Sequence, residues 1–197
     1  MENKIKITVG TSNPHKIHEM NEIAKDFNVE FCLPDCADFN PVEDGETFEE
    51  NAEIKAKEAA KLSKTGKYFL ADDSGLCVDY LNGAPGIHSA RYSDTPEKRI
   101  EKLLNAVKED EKRDAHFVCA LCLVDKEGKI IHKEEGKVFG KIAKEQKGEG
   151  GFGYDPVFVV DGLNKTMAEL SEKEKNTLSH RGQALNKMLK WIENAYN

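Results

Sequence analysis

Asp72 and Asp73 stand side by side directly after the apolar run Tyr68–Ala71. A short apolar run of this kind reads as a buried strand. Charges delivered there are costly unless they are paired or bind a cation. The fold must therefore bring cationic side chains or a metal ion to the end of this strand. Ser74 and Gly75 follow, then an apolar stretch, Leu76 to Tyr80, that reads as another strand or an extended crossing. The segment Asn82-Gly83-Ala84-Pro85-Gly86 then demands tight turns. The acid pair reads as a metal-binding and water-activating site, and the rest of the chain can be searched for its partners.

Upstream, Ile5, Ile7 and Val9 alternate within Lys4–Gly10 and predict a first strand. The break at Thr11-Ser12-Asn13-Pro14 offers an N-cap at Asn13 and a proline suited to the first helical position. A helix is expected over His15–Phe27. Free backbone N–H groups at such a turn, with Lys16 beside them, suit a phosphate; they suit an ordinary cap with an exposed lysine equally well. The Gly-x4-Gly-Lys pattern of a Walker loop is absent. After a short strand at Val29–Leu33 comes an acidic loop, Pro34–Gly45, with Asp35, Asp38, Glu43 and Asp44. Thr47 and Glu50 have capping-box spacing and open a helix with an apolar stripe from Phe48 to Leu62. Lys55 on that helix is either a solvated partner of nearby acids or a phosphate contact.

The second half is richer in strands. Thr95-Pro96 opens a third helix. Ala115–Val124 is the strongest strand signal, and with Lys129–Gly140 across the turn Asp125–Gly128 it reads as a hairpin. In Gly151-Phe152-Gly153-Tyr154-Asp155-Pro156, glycines surround two aromatic residues. That pattern suits a backbone lying close to a planar base, or tight core packing. Asp155 could accept from a base edge or cap a turn. Arg91 is either an ion-pair partner of the acids or a phosphate ligand. Val157–Val160 is a strand and Asn164–Glu174 a connection with at most one helical turn. The last helix is expected to start near Thr177 or Ser179. His180 and Arg181 fall in its first turn, where a cation gains nothing from the helix dipole, so a binding role is the better reason for them.

The 197 residues carry 29 Lys and Arg against 36 Asp and Glu, a net charge of −7. That balance argues against a non-specific nucleic-acid binder but leaves room for an anionic small ligand held by local lysines. Five cysteines, an odd number, speak against a disulfide framework. Cys119 and Cys122 lie inside an apolar strand without the turn a zinc knuckle needs, so buried thiols in a reducing compartment are expected. No apolar run is long enough to cross a bilayer, and the expected location is the cytoplasm, with no membrane partner. With no linker or repeat, residues 1–197 read as a single domain with two lobes.

Several motifs now occur in order: T-x-N-x-x-K at Thr11–Lys16, A-D-D-S-G-L at Ala71–Leu76, G-A-P-G-I-x-S-A-R-Y at Gly83–Tyr92, G-F-G-Y-D-P at Gly151–Pro156 and S-H-R-G-x-A at Ser179–Ala184. Together, over nearly the whole chain, they resemble the noncanonical purine nucleoside triphosphate pyrophosphatases, also called inosine triphosphate pyrophosphatases. The resemblance implies an α/β fold: an elongated mixed β-sheet with flanking helices, in two lobes around a central active-site cleft. It implies a cytoplasmic homodimer that hydrolyses inosine, deoxyinosine and xanthosine triphosphates to the monophosphate and pyrophosphate, with Mg2+ as cofactor. Asp73 would be the proton acceptor and a magnesium ligand, Glu43 the second ligand and Asp72 a supporting acid. Thr11, Ser12, Asn13, Pro14, His15 and Lys16 would form the triphosphate cradle, with Lys55 a further phosphate contact and Ser74 a substrate-contacting hydroxyl. Phe152, Gly153, Tyr154 and Asp155 would form the base pocket, and Lys175, His180 and Arg181 would complete the nucleotide site. The alternatives are a related hydrolase for modified pyrimidine or guanine nucleotides, and a non-catalytic nucleotide-binding protein.

Overall fold

The structure is a computed structural model that describes residues 4–36, 39–108 and 112–196. Asp38 of the acidic loop lies outside them. The elements run β1 Ile5–Val9, α1 Pro14–Ile23, β2 Val29–Cys32, α2 Phe48–Leu62, β3 Tyr68–Val78, α3 Pro96–Ala106, β4 Asp114–Asp125, β5 Ile130–Ile142, β6 Phe158–Val160, α4 Glu172–Leu178 and α5 His180–Tyr196, with short 3-10 turns between some of them. The strands form one mixed sheet in the order β2-β1-β3-β4-β5-β6. β1 pairs parallel to both β2 and β3, and β6 pairs antiparallel to β5. The α/β expectation is met.

The chain divides into two compact units. The first comprises the described residues of Met1–Asp73, Cys119–Gly136 and Arg181–Asn197. Its sheet is apolar on both faces, as a strand covered on both sides must be. One face buries Ile7, Val9, Leu70, Cys119 and Leu121 against Met20 of α1 and Leu185, Met188 and Leu189 of α5. The other buries Phe69, Ala71, Ala120, Cys122 and Val124 against Ala52, Ala56, Ala59 and Ala60 of α2. Small residues let α2 lie close: a Cβ added at Gly10 would stand 2.9 Å from the Lys55 carbonyl oxygen. Cys119 and Cys122, three apart on a strand, point to opposite faces and pack in different clusters, so they are core thiols.

The second unit comprises Ser74–Val118 and Lys137–His180. Its core joins Leu76 and Val78 of β3, Phe117 of β4, Val138 and Ile142 of β5 and Phe158 of β6 to Ile100 and Leu103 of α3.

Local signals place most elements within a few residues. Thr47 and Glu50 form the expected capping box of α2, and Thr95 with Pro96 opens α3. Three expectations are corrected. The run from Tyr68 and the stretch from Leu76 are one continuous 11-residue strand, so the acid pair lies in the strand's interior and not at its end. Helix α1 stops at Ile23, short of Phe27. Helix α4, started by a Ser171–Glu174 capping box, begins inside the segment read as a connection with one helical turn and runs past it to Leu178. The extended backbone of Ser179 separates it from α5.

Candidate active site

Interior aspartates persist in β3 because cations reach them from both faces of the sheet. Side chains alternate along a strand, so Asp72 shares a face with Leu70, and Asp73 shares one with Phe69 and Ala71. Asp72 therefore meets α1 and α5. Lys16 Nζ donates to its two oxygens at 2.8 and 3.0 Å. Arg181 Nη2 donates to Oδ2 at 3.2 Å, while Nη1 donates to Glu19 at 2.8 Å. Burial opposes the Asp72 charge, but Lys16, Arg181 and Lys55 outweigh it and hold the carboxyl far below the usual range. The Arg181 guanidinium is likewise opposed by burial and held ionised by Asp72 and Glu19. Asp72 is thus an ionised anchor.

Asp73 faces α2. Lys55 Nζ, buried in the middle of that helix, donates to Asp73 Oδ1 at 2.6 Å and to Glu43 Oε2 at 3.1 Å. Burial works against the Lys55 ammonium, yet Asp72, Asp73 and Glu43 together raise its pKa above the ordinary value. Burial pushes the Asp73 carboxyl upward; Lys55 opposes the push, and Glu43 and Asp72 add to it, leaving the pKa above the ordinary carboxylate value. Its second oxygen, Oδ2, is buried and has no hydrogen-bond partner. A carboxylate with one oxygen anchored, one unoccupied and an elevated pKa suits proton acceptance or cation binding.

Next to this pair lies a pocket of about 160 Å3, lined by Thr11, Ser12, Lys16, Glu43, Lys55 and Asp72. The turn between β1 and α1 supplies Thr11 and Ser12; Thr11 Oγ1 accepts from the Asn13 N–H at 3.1 Å. Pro14 is the first residue of α1, with His15 next to it in the same turn of helix. Two ammonium groups and a helix start around a polar hollow suit phosphate oxygens. Phe39, Asn40 and Pro41 also line it. Sequence reading passed over these three because nothing in an irregular acidic loop fixes which side chains turn inward.

The remaining residues gather in the second unit. Asp155 is buried, accepts from the Phe152 N–H at 2.9 Å and pairs with Lys175 Nζ at 2.9 Å. It caps the Gly151–Asp155 turn while holding the lysine. Lys175 also sits over the Phe152 ring, 4.5 Å from its centroid. Phe152 is 52% exposed, whereas Tyr154 is 5% exposed and donates its hydroxyl to the Ser89 carbonyl at 2.9 Å. Tyr154 is therefore a core residue, its hydroxyl pushed up to about 12 by burial. Of the two aromatic residues that the resemblance assigns to the base pocket, Phe152 is the exposed one. Gly153 adopts a positive φ of 62° in the same turn. His180 is buried and stacks on Phe117, with centroids 4.7 Å apart and planes at 10°. Ser74 is half-buried in β3, directly after Asp73. Arg91 is exposed and donates to His88 Nδ1 at 3.4 Å.

Two carboxylates, Glu43 and Asp73, converge on Lys55. Among the described residues no group of three or more His, Cys, Asp or Glu is placed to hold a metal ion. Magnesium uses one or two protein carboxylates and completes its shell with water and substrate phosphate, so this donor set fits it. Asp73 Oδ2, buried without a hydrogen-bond partner, is a hard oxygen donor of the kind such an ion takes.

Comparison with known proteins sets these residues in context. A family model described as the Ham1 family matches residues 7–191. A dITP/XTP pyrophosphatase from Clostridium perfringens is 48% identical over 195 residues, covering 93% of this chain and 95% of its own. Among solved structures, a HAM1 protein from Coxiella burnetii superposes with a TM-score of 0.85 at 39% identity, covering 96% of this chain and 99% of its own. The Ham1 protein of Staphylococcus aureus gives a TM-score of 0.83 at 40% identity over the same shares. A family match over nearly the whole chain, joined to relatives of this identity and coverage, establishes that the chain belongs to the Ham1 family.

Proposed function

We propose that this protein hydrolyses the deaminated purine nucleotides ITP, dITP and XTP to their monophosphates and pyrophosphate, and so clears them from the nucleotide pool. Asp73 carries the reading: a buried carboxylate with an elevated pKa and one oxygen without a hydrogen-bond partner, paired with Lys55, which together with Lys16 lines a polar pocket of about 160 Å3. The C. perfringens relative is named for hydrolysis of dITP and XTP, which agrees with it.

In this reading Thr11 to Lys16 hold the triphosphate. Glu43 and Asp73 would hold Mg2+, which when bound neutralises phosphate charge and aligns the displacement. Asp73 takes the proton from the water that attacks the α-phosphorus. The bond from that phosphorus to the α–β bridging oxygen breaks, and pyrophosphate leaves. Lys16 and Lys55 stabilise the charge that develops on the phosphoryl oxygens. For both to reach phosphate, each must loosen its present carboxylate partner.

Base choice follows from donors. The 6-keto group of hypoxanthine and xanthine accepts where the adenine amine donates. Lys175, His180, Arg181 and the backbone near Phe152 are the assigned donors, and adenine would leave one of them unpaired; guanine also carries the 6-keto group, so its 2-amino group must meet a clash or lack a partner. Lys175 suits the role best, because Asp155 and Phe152 already fix it. Arg181 has Nη1 and Nη2 committed to Glu19 and Asp72. Phe152 stacks on the base.

The test is pyrophosphate release from a panel of inosine, xanthosine, guanosine, adenosine and pyrimidine triphosphates, compared by kcat/KM. Inosine and xanthosine triphosphates are expected to lead. Release of orthophosphate and nucleoside diphosphate instead would overturn the bond assignment, and a lead for pyrimidine triphosphates would overturn the base assignment. A cytoplasmic homodimer belongs to the same reading, and sedimentation at micromolar concentration tests the dimer. Among the described residues no helix is long and apolar enough to cross a membrane.

A further inference from the structure

One residue of α2 is polar, buried and unused by the chemistry above. Asn51 is 0% exposed and lies one helical turn before Lys55, so the two share a face. Its Oδ1 accepts from the Gly45 N–H at 2.9 Å. The acidic loop is therefore held twice from that face of α2. Lys55 holds the Glu43 side chain and Asn51 holds the main chain two residues later. The fit is close: a Cβ added at Gly45 would stand 2.8 Å from Asn51 Oδ1 and 2.8 Å from the Glu50 Cβ.

Neither helix capping nor packing explains this amide. Thr47 and Glu50 already form a complete capping box. The other side of the amide, Nδ2, is buried without a hydrogen-bond partner. An apolar side chain of the same shape would fill the space without that unmet donor. What such a side chain lacks is the acceptor for Gly45.

We propose that Asn51 is a positioning residue: it fixes the Glu43–Gly45 segment so that the Glu43 carboxylate stands beside Lys55 and Asp73 in the geometry a divalent cation needs. The inference rests on the metal reading given above. A cation at Glu43 competes with Lys55 for the same carboxylate, so that tie weakens when the site fills. The Asn51–Gly45 bond does not involve the carboxylate and persists. Groups that orient a ligand without touching the metal are worth about 10- to 100-fold in metal affinity.

The experiment measures Mn2+ binding by electron paramagnetic resonance, and the Mg2+ dependence of pyrophosphate release, for wild type, Asn51→Leu, Asn51→Asp and Gly45→Ala. Asn51→Leu keeps the volume and loses the acceptor. Gly45→Ala displaces the same bond from the loop side, where the added methyl crowds Asn51 Oδ1 and the Glu50 Cβ, and keeps the Asn51 side chain itself. Both are expected to weaken Mn2+ binding about 10-fold or more and to raise the half-saturating Mg2+ by a similar factor, with kcat at saturating Mg2+ little changed. Asn51→Asp keeps an oxygen acceptor and is expected to bind Mn2+ about as tightly as wild type. Folding is checked by circular dichroism. Near-wild-type Mn2+ binding in folded Asn51→Leu and Gly45→Ala overturns the role, as does Asn51→Asp binding as weakly as Asn51→Leu. A wild type that turns over without binding Mn2+ removes the role of Asn51 but leaves the hydrolase reading standing. A wild type whose Mn2+ binding weakens in Asn51→Leu and Gly45→Ala as expected, yet which hydrolyses no triphosphate, does the reverse.

Discussion

The two faces of β3 treat neighbouring aspartates in opposite ways. On the α1/α5 face, Asp72 receives both Lys16 and Arg181, and its carboxyl is held far below the usual range. On the α2 face, Asp73 receives Lys55 alone, shares it with Glu43, and keeps one oxygen without a partner. The residue type is the same and the positions adjoin. The difference is the number of cations each face delivers per carboxylate. Where cations match the acids, the buried charge is held ionised; where acids exceed cations, the carboxyl keeps a raised pKa and an oxygen without a partner.

The sharpest way to break that comparison is to neutralise each acid in turn. Asp73→Asn should reduce turnover about 10²- to 10⁴-fold, the usual scale of a general base, without lowering stability. Pyrophosphate release and urea denaturation measure the two quantities; turnover near the wild-type level would remove Asp73 as the base. Asp72→Asn should act on stability instead. It leaves Arg181 and Lys16 short of their counter-charge, and breaking a buried pair costs about 3–5 kcal/mol. An Asp72→Asn protein with an unchanged urea midpoint would contradict its reading as an anchor.

The pH dependence separates the pair with opposite signs. Asp72 has a depressed pKa in the folded state, so its contribution is fully present above the ordinary carboxylate pKa and is lost as pH falls below it. Asp73 has a raised pKa, so its ionisation as pH rises through that interval lowers stability while switching on the base. The acid limb of kcat/KM should therefore lie above the ordinary aspartate value of about 3.9. Lys55→Met removes the cation that opposes the rise and should move the limb to higher pH. A limb that stays in place would show that Lys55 does not set the Asp73 charge.

The smallest effects concern the aromatic turn, where the same logic divides Phe152 from Tyr154. Phe152→Ala should weaken substrate binding by about 1–3 kcal/mol, the range for stacking on a base, with little loss of stability. Tyr154→Phe should lower stability by about 1 kcal/mol, the scale of one buried hydrogen bond, and leave KM unchanged. KM for ITP and the thermal midpoint of each variant decide it, and a raised KM in Tyr154→Phe would return that ring to the base pocket.

Much of this was legible in the sequence because it depends on neighbours in the chain. The Thr47–Glu50 capping box, the proline that opens α3 and the β4–β5 hairpin all follow from residues a few positions apart. So does the oddity of two acids in an apolar run. The resemblance of ordered motifs supplied the family and pointed to the residues. Other features were hidden for a physical reason. That β3 continues through its acids depends on Lys16, Lys55 and Arg181, which lie 56, 18 and 109 positions away. Without those cations in place, the pair looks like the end of a strand.

Composition, periodicity and motif order by themselves determined an α/β chain, a polar site at Asp72-Asp73, a strand-to-helix turn at Thr11–Lys16 and the family to which they belong. The resemblance named Asp73 over Asp72; only the tertiary structure showed how their surroundings differ, because strand alternation sends them to different helices with different charges. It alone showed that Tyr154 is core and Phe152 is open, and that Asn51 ties down the loop of Glu43. These are properties of long-range contact, and a residue's charge state and accessibility belong to its neighbours in space.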